Sequence, residues 1–431
     1  MENALARRRG APDKAAMVEI RSSEELREWL KDKPRDWAQV IAARAALRVM
    51  PHALTSLVSD HWVEKNSLVL FRGTAIAWAA RNFSTHNMGQ AAHTAGAALD
   101  AAHSPEDVFG NITALNAVNY AIRAALGAYA VADAARAARA LDLEIRVAST
   151  VVWNNISADC DWLDIASDGT TAAINLTHEP LWLRDEPNGW LFRWKTSSQR
   201  LLMLNPSNQV WIDWYERRIE GHDAAFAIPG DTDRTEDKAI LRRLADATDE
   251  DFWDKGAAYV NTTLQSWIDE ARINAEINAI LVKLRAGVAT RIGTPDEFEA
   301  RRALLDALDR LTGKPPMQHG RIGHNYPPEG LDAVETSAAL PSEVREPIEA
   351  MATELQKSEP DPIIVAEKAL LFHRILRKLE KMASVAGDKF AEGFGDELGK
   401  GAGKLVTRLP YALLALPLIA PILAWLRAVI G

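Results

Sequence analysis

From residue 34 to residue 141 the chain repeats one pattern, apolar side chains three and four apart with alanine filling much of the space between them. That spacing puts the apolar groups on one side of a helix, and alanine on the remaining sides lets neighbouring helices approach closely. Trp37, Val40, Ile41, Ala45, Leu47 and Val49 predict a helix after Pro34, stopped by Pro51. Ser22-Ser23-Glu24-Glu25 predicts a shorter helix before it, with serine at the cap and acids in the first turn. Residues 70–83 and 88–102 read as two more. Ser104-Pro105-Glu106-Asp107 restarts the chain, and 112–141 reads as the longest helix, with Leu115, Val118, Ala121, Ile122, Ala125, Leu126 and Tyr129 along one side. The expectation is a mainly α protein that opens with an Ala-rich helical bundle.

Composition narrows the class. The chain has 431 residues, 48% of them hydrophobic and 25% charged, values that exclude collagen-like, wholly disordered and polytopic membrane classes. One cysteine excludes an internal disulfide or a cysteine-based zinc or iron–sulfur site within one chain. A formal net charge of -9 gives no footing for nucleic-acid binding. Arg7, Arg8 and Arg9 precede no apolar stretch of signal-peptide length, so residues 1–20 read as a flexible tail.

Six stretches follow. After the tail, the bundle occupies 21–150. A Trp-rich, mostly helical region at 151–312 carries nine of the 14 tryptophans and is able to pack as one body with the bundle. Within and before it two local readings compete. Leu141, Leu143, Ile145 and Val147 alternate as in a short strand, and Pro187-Asn188-Gly189 suits a hairpin turn. Trp190 and Trp194, one helical turn apart, favour a helix beginning near Pro187 instead. Helices are then expected at 210–220, 238–247, 257–284 and 295–311, the last started by Thr294-Pro295-Asp296-Glu297. Residues 313–340 form a linker containing GKPPMQHGRIGHNYPPEG, where proline pairs and glycines forbid a regular element. A helical pair and a Gly-rich stretch fill 341–404, with helices at 341–357 and 363–386, and an apolar tail fills 405–431.

The densest aromatic cluster is Val210-Trp211-Ile212-Asp213-Trp214-Tyr215-Glu216-Arg217-Arg218. On a helix Trp211, Trp214, Tyr215 and Arg218 face one way. They form either a stacking surface with a cation for an anionic ligand, or the inner face of a core helix. WIDWYERRIEG, followed by FWDKGAAYVN and later by GRIGHNYPPE, resembles segments of uncharacterised, largely helical bacterial proteins that share a W-x-x-W-Y-x-x-R segment and a G-H-N-x-P-P linker. The resemblance covers about a quarter of the chain, implies a bacterial, cytosol-facing setting and brings no activity.

Other chemistry is sparse. Asp159, Asp161 and Asp164 surround Cys160, which would disfavour its thiolate, and Asp161 and Asp164 would serve as an acid/base pair only if they met Trp211 and Arg218 in one cleft. His319 and His324 lie in the linker with no further ligand, and GKGAGK at 399–404 lacks phosphate-loop spacing. No cofactor or metal site is implied, and the balance leans away from an enzyme.

The tail is the most specific signal. The 18 residues 409–426 carry no charge, about 27 Å of helix against a hydrocarbon core of about 30 Å. Lys404, Arg408 and Arg427 flank the run, with Tyr411 and Trp425 near its ends, while Pro417 and Pro421 lie inside it. Ahead of it, Arg374, Arg377, Lys378 and Lys381 share one helix face beside Leu371, Ile375, Leu379 and Met382, a pattern that suits an anionic membrane surface. The expected function is a membrane-associated, partner-binding or effector-like protein, its cytosolic body held at the inner membrane by a C-terminal tail anchor. The alternatives are a soluble, cytoplasmic enzyme with an acidic Trp-lined cleft, or a soluble oligomeric structural protein whose tail packs between subunits.

Overall fold

A computed structural model describes residues 18–55, 57, 59–80, 86–102, 112–126, 129–145, 148–166, 169–247, 252–312, 342–391 and 416–431. These residues are mainly α-helical, with no strand among them. The chain divides into two compact units, Met1–Ile228 with Asp233–Ala271, and Pro229–Thr232 with Arg272–Gly431.

The first unit is built around α2 (Arg35–Thr55). α1 (Ser23–Leu30) precedes it, and Ser22 caps α1 by accepting from the Glu25 N–H at 3.2 Å. Every residue from Trp37 to Pro51 is buried, as expected of a helix with neighbours on all sides. α2 packs against α3 (Asp60–Ala79), α5 (Ile112–Leu126), α6 (Ala130–Glu144), α7 (Ser149–Ile165), α8 (Gly169–Leu176), α9 (Trp190–Leu204) and α10 (Gln209–Glu220). α4 (His86–Ala102) packs against α3 and α5, and α11 (Thr235–Asp246) against α3 and α4. Gly73 permits the closest approach. A Cβ there would lie 2.9–3.0 Å from Ile122, Leu99 and Val118, which α5 and α4 supply.

Four local expectations are corrected. Pro51 lies inside α2, which runs on to Thr55. The helix expected at 70–83 begins ten residues earlier, at Asp60. The single helix expected at 112–141 is two, α5 and α6; Tyr129 leaves helical geometry ahead of α6 (φ -132°, ψ 31°), and the apolar spacing on either side does not mark it. The strand expected at 141–147 is helix as far as Glu144. Leu141 and Ile145 are buried one turn apart and Leu143 is 42% exposed, the helical rather than the alternating pattern. The linker at 313–340 and the glycine stretch at 399–404 lie outside the described residues.

In the second unit, the C-terminal part of α12 (Ala257–Arg285) packs with α13 (Pro295–Thr312), α14 (Ser342–Leu355), α15 (Pro362–Ala391) and α16 (Ile419–Ile430) around one apolar core. α16 is part of that core. Ile419, Ile422, Leu423, Trp425, Leu426 and Val429 are buried in it. Among the described residues no helix is long and apolar enough to cross a membrane.

Candidate functional site

The four residues of the Trp-rich motif sit on the inner face of α10. Trp211, Trp214 and Tyr215 are 0% exposed and Arg218 is 2% exposed. Each has a role inside the fold. The Trp211 Nε1–H donates to Asn261 Oδ1 at 2.7 Å, and its ring stacks on Phe71. Trp214 packs edge-on to Trp211, and Tyr215 lies against Trp194. The Tyr215 hydroxyl donates to the Leu47 carbonyl at 2.6 Å, and burial alone pushes that phenol well above its ordinary range. The Arg218 guanidinium lies 4.4 Å over the Trp78 ring and donates through Nη2 to the Ala224 carbonyl, leaving Nε and Nη1 without a hydrogen-bond partner. Burial, only partly offset by Asp237, brings its pKa down to about 9. The face is a packed interior, not a surface open to a ligand.

The two acids proposed as a pair reach different partners. Asp161 accepts from the Val18 N–H and from Arg184 at 3.2 Å, while Asp164 pairs with Lys33 at 2.5 Å. Neither shares a partner with Trp211 or Arg218, so the structure does not gather the four side chains into one cleft. Cys160 is buried, and burial together with Asp159, Asp161 and Asp164 pushes its thiol well up, as the flanking acids imply. Among the described residues no group of three or more His, Cys, Asp or Glu side chains is placed to hold a metal ion.

A denser polar site lies between α2 and α7. Arg44 and Arg48, both on α2, converge on Asp159 of α7. Arg44 Nε donates to Asp159 Oδ1 at 3.1 Å, and Arg48 Nη1 lies 2.7 Å from Asp159 Oδ2. The remaining Arg44 hydrogens go to the carbonyls of Leu176, Glu179, Pro180 and Leu181, while Arg48 donates to Leu181 and lies 5.1 Å from the Trp182 ring. Two buried cations therefore meet one carboxylate and a row of carbonyl dipoles. Burial lowers the Arg44 pKa, and Asp159 opposes the shift. Gly221 closes this loop from outside. Its φ is +74°, and a Cβ there would lie 2.4 Å from the Glu179 and Pro180 backbone. The one sequence signal for this cluster is two arginines four apart in the otherwise apolar stretch 40–51 of α2.

The second unit holds its own polar cluster, around α16. The buried Glu297 carboxylate accepts from Arg301 Nε at 2.6 Å and Nη2 at 2.5 Å, from the Trp425 Nε1–H at 2.7 Å and from the Gly293 N–H at 3.2 Å. Burial pushes this acid up, but those hydrogen bonds outweigh it and hold the carboxyl below its ordinary value. Arg427 pairs with Glu276 at 2.5 Å, and the Arg291 N–H donates to the Val429 carbonyl at 2.8 Å. On α15, Arg374 and Lys378 are exposed, Arg377 is half-buried, and the Lys381 side chain lies outside the described residues. Leu371 is 42% exposed, whereas Ile375 and Leu379 pack against the core.

No family model, curated protein or solved structure matches this chain. The functional reading therefore rests on the geometry of its own residues.

Proposed function

We propose that this is a non-catalytic, partner-binding or effector-like helical protein of the bacterial cytosol. Its apolar C-terminal segment is stored in the second unit and transfers to the inner membrane when the unit is opened. The observation that carries the reading is the position of α16. A helix that takes in the end of the charge-free run and continues past it through Arg427 is held in a protein core, fastened by Glu297, Glu276 and Arg291. Release exposes six buried side chains. At about 2 kcal/mol each that is on the order of 10 kcal/mol, so unaided release is rarer than about one molecule in 10⁶ and a trigger is required. Arg374 and Lys378 on α15 give the opened unit a basic face toward anionic lipid.

The burial of α16 equally favours a second reading, in which the segment is only a core element. Flotation of bacterial membranes in a sucrose gradient separates the two. Wild-type protein stays mainly outside the floating fraction, Trp425→Ala weakens the store and floats with membranes, and adding Leu414→Arg, which charges the apolar run, returns it. A Trp425→Ala chain that does not float, whether dispersed or pelleted as aggregate, leaves only the core-element reading.

A further inference from the structure

Helix α9 turns two large apolar side chains to solvent. Phe192 is 73% exposed and Met203 is 79% exposed. They are eleven residues apart, so they lie about 20° from each other around the helix and about 16 Å apart along it. Thr196 and Gln199, both exposed, complete the stripe, and Leu191 at its margin is 39% exposed. Beside Phe192 is a concavity of about 310 Å³ lined by Thr55, Asn188, Gly189, Phe192, Arg193 and Thr196.

The charge on this helix has one sign. α9 contains Arg193, Lys195 and Arg200 and no acid. Arg200 is taken by Asp60 at 2.8 Å, but Arg193 and Lys195 are exposed and form no ion pair among the described residues. Phe192 and Met203 are the two most exposed large apolar side chains among the described residues, and they share one line of one helix. Methionine adapts its shape to a partner surface, and aromatic and arginine side chains are the usual anchors of an interface.

We propose that the outer face of α9 is the docking surface for an acidic amphipathic helix of a partner protein. One apolar side chain of that helix enters the concavity beside Phe192, a second rests on Met203 three turns away, and carboxylates at the margin meet Arg193 and Lys195. The charge complementarity selects this occupant over a basic helix. The inference is independent of the stored C-terminal helix, because it concerns only the first unit.

Fluorescence anisotropy with two synthetic helices tests it. One carries leucines along one face with glutamates at the margins, and the other has lysine in place of every glutamate. The intact protein binds the glutamate helix and not the lysine helix. Phe192→Ser and Arg193→Glu each weaken that binding at least ~10-fold while leaving the thermal midpoint in place, since both side chains are exposed. Equal binding of both helices, binding indifferent to the two substitutions, or no binding of either would overturn the proposal. So would a wild-type dimer that Phe192→Ser dissociates, which would assign the face to a second copy.

Discussion

Pro51 lies inside α2 and has no N–H to give the carbonyl four residues earlier, which is that of Leu47. The Tyr215 hydroxyl supplies the missing donor from α10. A tyrosine whose spacing suggests ligand stacking thus repairs a helix broken by proline. Tyr215→Phe should destabilise the first unit by about 1–3 kcal/mol, because a buried carbonyl loses this donor. In a Pro51→Ala background the residue at 51 regains an N–H, so the same change should cost clearly less. A double-mutant cycle by urea unfolding measures this coupling, and purely additive effects would refute it. Asp159→Asn should be more severe, since it leaves Arg44 and Arg48 buried side by side. Breaking such a pair costs about 3–5 kcal/mol, or a thermal midpoint lowered by about 10 °C by circular dichroism. His52 sets a pH dependence. Burial, reinforced by Arg193, lowers its pKa from 6.5 to about 4. Above pH 6.5 the ring is neutral in both states and its contribution to stability is complete. Between 6.5 and 4 only the unfolded chain takes the proton, so stability falls as pH falls. Urea midpoints between pH 7 and 4 should decline less for His52→Gln than for the wild type.

At the scale of elements, helix starts were legible wherever the signal was local. Ser22 caps α1, and Thr294-Pro295 opens α13 with Glu297 reaching back to the Gly293 N–H, because capping uses only neighbours in sequence. Leu141 and Ile145 were ambiguous because a short alternating run also contains an i, i+4 pair. The Trp211 to Arg218 face was legible as a face but not as an interior, since aromatic spacing is the same toward a ligand as toward a core. The pairing of Arg44 with Asp159 joins residues 115 apart, and no local pattern encodes that. For α16 the apolar run revealed what the segment avoids, namely water, and only its polar fastenings reveal where it lies. Trp425→Phe keeps the ring and removes the donation to Glu297. It should reduce hydrogen-exchange protection in α14 and α15 by about tenfold or more, as expected when a bond to a charged group is lost.

At the scale of the molecule, the division between the two compact units falls inside a single helix, α12, after Ala271, where no proline, glycine or loop marks it. Each unit has its own core and should respond separately. A chain ending at residue 404 lacks α16 and should lose exchange protection over residues 272–391 while α1–α11 keep theirs. Uniform loss across both units would show that they are not independently stable.

The order of synthesis adds a clock to the second unit. Its walls, α13, α14 and α15, leave the ribosome before the helix that fills them, and some forty residues separate Ala391 from Ile430. At roughly 5–20 residues per second the groove stands vacant for ~2–8 s in every newly made chain. During that interval α13, α14 and α15 lack the six apolar side chains that α16 adds to their core. The second unit therefore completes its core last, with the very segment that the proposed function would send to a membrane.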